Sequence, residues 1–176
     1  VVGPGLGRGE RAETLVGAAL ASDIPCVFDA DALSLLSENE DLRKACARRS
    51  AETLLTPHPG EAAALCGKSV PEVQADRVAT ARDLSQTFNA HVVLKGNGSI
   101  LAARDGHWFI NTSGNPGMAS AGMGDVLTGM IAALLSQGAE PRTALLAAVY
   151  LHGAAADHAV ASGHGPVGLT TSEVTD

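Results

Sequence analysis

Aromatic side chains make up only 3% of the 176 residues, so a core has to be assembled from Ala, Val and Leu. Cysteine is scarce too. Cys26, Cys46 and Cys66 are odd in number and form no Cys-x-x-Cys pair, which fits a reduced, cytoplasmic compartment. Basic residues are in deficit: 12 Lys and Arg against 19 Asp and Glu give a net charge of -7. An electrostatic nucleic-acid binder would carry a basic face, so nucleic acid is excluded as a partner class. No apolar run approaches the ~20 residues of a membrane span, which excludes a membrane partner as well. No signal-peptide layout opens the chain. Val1-Val2-Gly3, without an initiator Met, reads as the end of a strand whose start is missing. What is present is 45% apolar and 18% charged, which rules out disorder and collagen-like sequence. The length predicts one domain over residues 1–176.

Short apolar strands alternate with longer helical stretches. After Val1-Val2 comes the glycine turn Gly3-Pro4-Gly5-Leu6-Gly7, then a helix from about Glu10 to Ala21. Ile24–Phe28 is a strand ending at Asp29-Ala30-Asp31, and a helix of mixed charge follows from about Asn39 to Arg49. Thr53–Thr56 is a strand stopped by Pro57-His58-Pro59, and Glu61–Cys66 is a helix capped by Gly67. Pro71 suits the first turn of a helix whose apolar positions Ala75, Val78, Ala81, Leu84 and Phe88 recur at helical spacing. His91–Lys95 reads as a buried strand, and turn glycines separate it from Ile100–Ala103 and Trp108–Ile110, an antiparallel edge. Two Ala- and Leu-rich helices, about Asp125–Ser136 and Pro141–Val160, lead to Thr171–Asp176, a helix start left unfinished. This order predicts an α/β fold, a mainly parallel sheet covered by helices on both faces. Ligands of such sheets bind beyond the carboxyl ends of the strands. The turn chemistry falls there.

The strongest chemical signal is Gly114-Asn115-Pro116-Gly117-Met118-Ala119-Ser120-Ala121-Gly122-Met123-Gly124-Asp125, a small-residue loop leading into a helix. Glycines let backbone N–H groups approach a ligand, and the helix N-terminus carries partial positive charge, so Gly122, Met123 and Gly124 form a candidate anion hole. Asp125 at the start of that helix is an N-cap, a general base for an attacking hydroxyl, or both. Two motifs are decoys. Gly67-Lys68-Ser69 lacks the earlier glycine of a Walker A loop, since position 62 is Ala62, and Gly3-x-Gly5 lacks the last glycine of the dinucleotide fingerprint, since position 8 is Arg8. His152, Asp157 and His158 share a helix at spacings that do not place metal ligands on one face, so no protein metal site is expected. His58, held between two prolines at a strand end, is a candidate binding residue or a structural one.

Five elements then stand in one order: Val2-Gly3-Pro4-Gly5-Leu6-Gly7, Asp29-Ala30-Asp31-Ala32-Leu33, Leu55-Thr56-Pro57-His58-Pro59-Gly60-Glu61, Leu94-Lys95-Gly96, and Gly114-Asn115-Pro116-Gly117-Met118-Ala119 ending in Gly122-Met123-Gly124-Asp125-Val126-Leu127. Together they resemble the ADP-dependent NAD(P)H-hydrate dehydratases, ribokinase-like proteins that occur alone or fused behind an epimerase domain. The resemblance implies repair of NADH or NADPH hydrated at C6 of the nicotinamide ring. The hydroxyl is phosphorylated from ADP, phosphate leaves, and the ring double bond returns, with AMP as the other product. It implies that Asp125 activates the hydroxyl and contacts the substrate, as do Gly5, Gly7 and His58. Lys95, Gly96, Asn97, Gly98, Ser99 and Gly124 would line the adenine nucleotide site, and the backbone of Gly122, Met123 and Gly124 would hold the transferred phosphate. Mg2+ is implied on the ADP phosphates and a homotetramer as the assembly; the partners are small molecules. The family domain carries about 90 further residues ahead of the glycine turn, and Met123 stands where a smaller residue such as Thr is usual. Alternative readings are a ribokinase-like kinase of a vitamin precursor and a non-catalytic nucleotide-binding module.

Overall fold

A computed structural model describes residues 1–175. β1 (Cys26–Phe28), β2 (Thr53–Leu55) and β3 (His91–Leu94) are parallel, and β4 (Ile100–Ala102) and β5 (Trp108–Ile110) continue the sheet antiparallel, in the order β1-β2-β3-β4-β5. Val2 bridges Phe28 in parallel, as a strand end would. The period of two along each strand divides the core. Phe28, Leu55, Val92 and Leu94 pack on one face with Leu33, Leu65, Leu84 and Phe88. Val27, Leu54, Val93 and Leu101 pack on the other with Leu127, Ile131, Leu145 and Ala148.

The first face is covered by α1 (Glu10–Leu20), α2 (Asp31–Glu38), α3 (Glu40–Ala47), α4 (Pro59–Cys66), α5 (Val70–Ala75) and α6 (Arg77–Phe88); the second by α7 (Met123–Ser136) and α8 (Pro141–Ala161). Gly67 ends α4 in the left-handed conformation at φ 64, as expected for a C-terminal cap. Short α9 (Thr171–Thr175) occupies the segment expected as a helix start; Asp176, the end of that expectation, lies outside the described residues.

Several boundaries differ from the expectation. The residues after β1 form α2, where Ala30 turns the chain at φ 48 and the helix buries Ala32, Leu33, Leu35 and Leu36. The helix expected after Pro71 is two helices, broken at Asp76, whose side chain accepts from Ala79 N at 2.9 Å and so caps the second. At 21 residues, α8 is long and apolar enough to cross a bilayer, contrary to the expectation that no run approaches a span. Ala144, Leu145, Ala148 and Val149 are nonetheless buried against the sheet and α7, so it serves as a core helix.

One buried cation ties the first layer together. The Arg49 guanidinium, 5% exposed, donates to the carbonyls of Ala19, Leu20, Ser22 and Ile24 and to Thr53 Oγ1, at 2.7–3.0 Å. These carbonyls belong to the last turn of α1 and the segment after it, so Arg49 satisfies a helix end that β-structure cannot. The cysteines are free, and burial pushes the Cys46 thiol up to about 12, so it stays protonated and unreactive. Replacing all three by Ala should leave turnover within a few-fold, because each acts as a small apolar filler; a hundredfold loss on changing any one would reveal thiol chemistry.

Candidate active site

The carboxyl ends of the parallel strands bring Asp29, His58 and Lys95 to one edge of the sheet. Asp29 is 1% exposed, and its Oδ1 accepts from Lys95 Nζ at 2.8 Å and from Ala30 N at 2.9 Å. Glu61 Oε2 stands 3.9 Å from the same Nζ. The first turn of α7 closes on this pair. A Cβ on Gly124 would lie 3.3 Å from Lys95 Nζ and 3.4 Å from Asp29 Oδ2, a tight approach that a larger residue would have to accommodate by shifting the ammonium a few tenths of an ångström. Gly122 begins α7 at φ 86 and no side chain caps it, which leaves first-turn amides for a ligand.

A cavity of about 740 Å3 opens here, in the range of small-molecule sites. Its lining includes His58, the Lys95-Gly96-Asn97-Gly98-Ser99 turn, Gly114–Pro116, Met123 and Gly124, with Leu127, Val149 and His152 beneath. Arg77 braces the turn from behind, donating to the carbonyls of Asn97, Leu94 and Lys95 at 2.7, 3.2 and 3.4 Å. Asp157 braces the opposite loop, accepting from Gly114 N at 2.8 Å and Asn115 Nδ2 at 3.0 Å. Gly153 has a packing reason to be glycine: a Cβ there would collide with Ser113.

His58 is both structural and presented. Its Nδ1 accepts from Gly60 N and Glu61 N at 3.0 and 3.2 Å, and Glu61 Oε2 accepts from His58 N at 2.7 Å, a capping box at the start of α4. That leaves Nε2 as the hydrogen-bearing nitrogen, 3.5 Å from Glu61 Oε1, with more than half of the side chain exposed beside the cavity.

The structure thus gathers His58, Lys95, Gly96, Asn97, Gly98, Ser99, Met123 and Gly124 around one cavity. Gly5, Gly7, Gly122 and Asp125 are not part of its lining. Gly5 and Gly7 lie in an exposed turn, pinned by Gly7 N donating to Asp31 Oδ2 at 2.8 Å. Asp125 is exposed and follows Gly124 directly. The capping role weighed for Asp125 is corrected: α7 starts at Met123 with Gly122 as its N-cap, so Asp125 is the third helical residue. Met123 lines the cavity, and its side chain packs with the buried Ala156, Ala159, Leu169 and Val174.

Sequence reasoning missed Glu61, Arg77, Asp157 and the Asp29–Lys95 pair as site residues. His152, considered from the sequence only as a metal ligand and rejected as one, is buried, and its Nε2 has no hydrogen-bond partner. Burial pushes the pKa of His152 down from 6.5, and the same holds for His91 despite the opposing Glu52 carboxylate. The folded chain therefore binds fewer protons than the unfolded one once pH falls below about 6.5, and stability should decline from there until the folded imidazoles protonate. Melting temperatures from about pH 7.5 to 5.5 should show that decline, and His152→Gln should have the shallower slope; equal slopes would remove His152 from this account.

A mostly parallel sheet with helices on both faces, and a cavity at the strand ends facing an uncapped helix, define a ribokinase-like α/β protein. A solved ribokinase-like superfamily protein from Enterococcus faecalis matches with a TM-score of 0.77 at 27% identity, covering 99% of this chain and 59% of that one. The family model for NAD(P)H-hydrate dehydratase matches residues 1–176, and the chain belongs to that family. It is 46% identical over 176 residues to an ADP-dependent (S)-NAD(P)H-hydrate dehydratase of Neisseria meningitidis, covering 99% of this chain and 59% of the relative. A crystal structure of the ADP/ATP-dependent NAD(P)H-hydrate dehydratase of Bacillus subtilis, co-crystallised with ATP and Mg2+, superposes with a TM-score of 0.85 at 36% identity, covering 99% of this chain and 60% of that one. The chain spans less than two thirds of the length of these relatives.

Proposed function

We propose that the protein dehydrates C6-hydrated NADH and NADPH at the expense of ADP, returning the reduced cofactor with AMP and phosphate. The observation that carries this reading is the single cavity shared by the His58 loop, the Lys95–Ser99 turn and the first turn of α7. It joins a binding surface for a nucleotide to an anion-binding helix end, as transfer of a phosphoryl group to a bound hydroxyl requires.

The Lys95–Ser99 turn and Gly124 hold ADP with its terminal phosphate at the amides of α7. His58 and the Gly5–Gly7 turn hold the hydrated nicotinamide nucleotide. Asp125 takes the proton of the C6 hydroxyl as its oxygen bonds to the β-phosphorus and AMP leaves. The C6–O bond then breaks with loss of phosphate, C5 gives up a proton, and the C5–C6 double bond returns. Among the described residues no three His, Cys, Asp or Glu side chains gather as a metal cage. A Mg2+ carried on the ADP phosphates needs no such cage, takes most of its ligands from phosphate oxygens and water, and would neutralise phosphate charge. The same reading makes the protein a cytoplasmic homotetramer whose free cysteines stay reduced.

Incubation with ADP, Mg2+ and hydrated NADH should restore the absorbance of the reduced ring, with AMP formed mole for mole. A phosphorylated nucleotide accumulating without ring recovery would make the protein a kinase instead.

A further inference from the structure

We infer that Asp29 is a positioning residue that holds the Lys95 ammonium at the first turn of α7, where the ammonium bonds the terminal phosphoryl group of a nucleoside diphosphate. This rests on the functional reading above and deepens it, because it moves Lys95 from the adenine end of the nucleotide to the phosphate being transferred.

The geometry favours this arrangement in three ways. Lys95 Nζ is 2.8 Å from Asp29 Oδ1 and only 3.3 Å from the point where a Cβ on Gly124 would stand, so the charge lies beside the anion-binding turn. The pair is asymmetric: the Asp29 side chain is 2% exposed and is not in the lining of this cavity, whereas the Lys95 side chain is 20% exposed and is. An ammonium has three donors, Asp29 accepts one, and Glu61 at 3.9 Å is beyond hydrogen-bond distance. Donors thus remain on the cavity side. A purely structural buried pair would gain nothing from opening toward a ligand space, and apolar residues of similar volume replace such pairs at little cost.

The carboxylate would also keep the flexible lysine stem in one rotamer. That matters because a phosphoryl group in transit spreads its charge over three equatorial oxygens and rewards fixed cations. Asp29 acts only through Lys95, so the two substitutions should not add.

Calorimetry with ADP and with AMP tests this without any turnover. Asp29→Asn should weaken ADP about tenfold, the loss of one charge-assisted hydrogen bond, and AMP less than threefold, since AMP lacks the transferred group. Because Lys95→Met strands a buried carboxylate, the double variant Asp29→Asn/Lys95→Met is measured beside it. It should lose ADP affinity to the same extent as Lys95→Met, and in turnover both should lower kcat while leaving the KM for hydrated NADH near wild type. Equal weakening of ADP and AMP would return Lys95 to the adenine site, and unchanged ADP binding would reduce the pair to scaffolding; either overturns the inference. Wild-type protein that binds neither nucleotide would overturn the functional reading itself, and the inference with it.

Discussion

Replacing Asp125 with Asn should lower turnover of hydrated NADH at least about a hundredfold, the usual scale for losing a positioned general base, while ADP binding stays near wild type. The side chain is exposed at the third position of α7, and no cap depends on it. Asn keeps its shape and removes the proton affinity that activates the hydroxyl. Nucleotide phosphates rest on backbone amides and the positive end of the helix, neither of which the substitution touches. Stability should fall only slightly, because an exposed first-turn carboxylate loses a favourable but screened interaction with the helix end. Turnover within threefold of wild type would remove Asp125 from the chemistry.

The largest loss of stability should follow Arg49→Ala. The guanidinium is buried and makes every one of its hydrogen bonds to neutral groups: the carbonyls of Ala19, Leu20, Ser22 and Ile24, and Thr53 Oγ1. Truncation takes the donor from the buried Leu20 carbonyl and from the part-buried Ser22 and Ile24 carbonyls, while Ala19 O still accepts from Ser22 N and Ser22 Oγ, and it opens a void beneath α1. An unfolding free-energy loss of about 3 kcal/mol or more is expected, since each unsatisfied buried polar group costs about 1–3 kcal/mol. Arg49→Lys should lie in between, because an ammonium reaches fewer of the five acceptors than the planar fork does. Chemical denaturation of the three proteins checks the order; an Arg49→Ala midpoint equal to wild type would show that water replaces the side chain without cost.

Much of the architecture was legible because the strands are short, apolar and bounded by Gly, Pro and Asp. Trp108–Ile110 was readable as an edge for the same reason. α2 was not, because Asp29-Ala30-Asp31 looks like loop chemistry and the turn depends on Ala30 at φ 48, which no sequence pattern announces. The start of α7 was misplaced by two residues, since an acidic residue after glycines looks like a cap and Gly122 makes no side-chain signal. Within the site, the glycine loop and the Lys95–Ser99 turn were readable from local chemistry. His58 was readable only in part: the His58-Pro59-Gly60-Glu61 spacing holds a capping box, yet the ring also borders the cavity. Pairings across the fold were invisible. Asp29 meets Lys95 across 66 positions and Asp157 meets Gly114 across 43, and only the packed sheet creates those contacts.

Hydrated NADH carrying 18O in its C6 hydroxyl tests the central claim, that dehydration proceeds by phosphoryl transfer to that oxygen. If the hydroxyl attacks the β-phosphorus of ADP and the C6–O bond breaks afterward, the label must leave in inorganic phosphate, one atom per NADH recovered. Mass spectrometry of the released phosphate reads this directly. Label appearing in water, with unlabelled phosphate, would mean that the hydroxyl departs without being phosphorylated and would contradict the account.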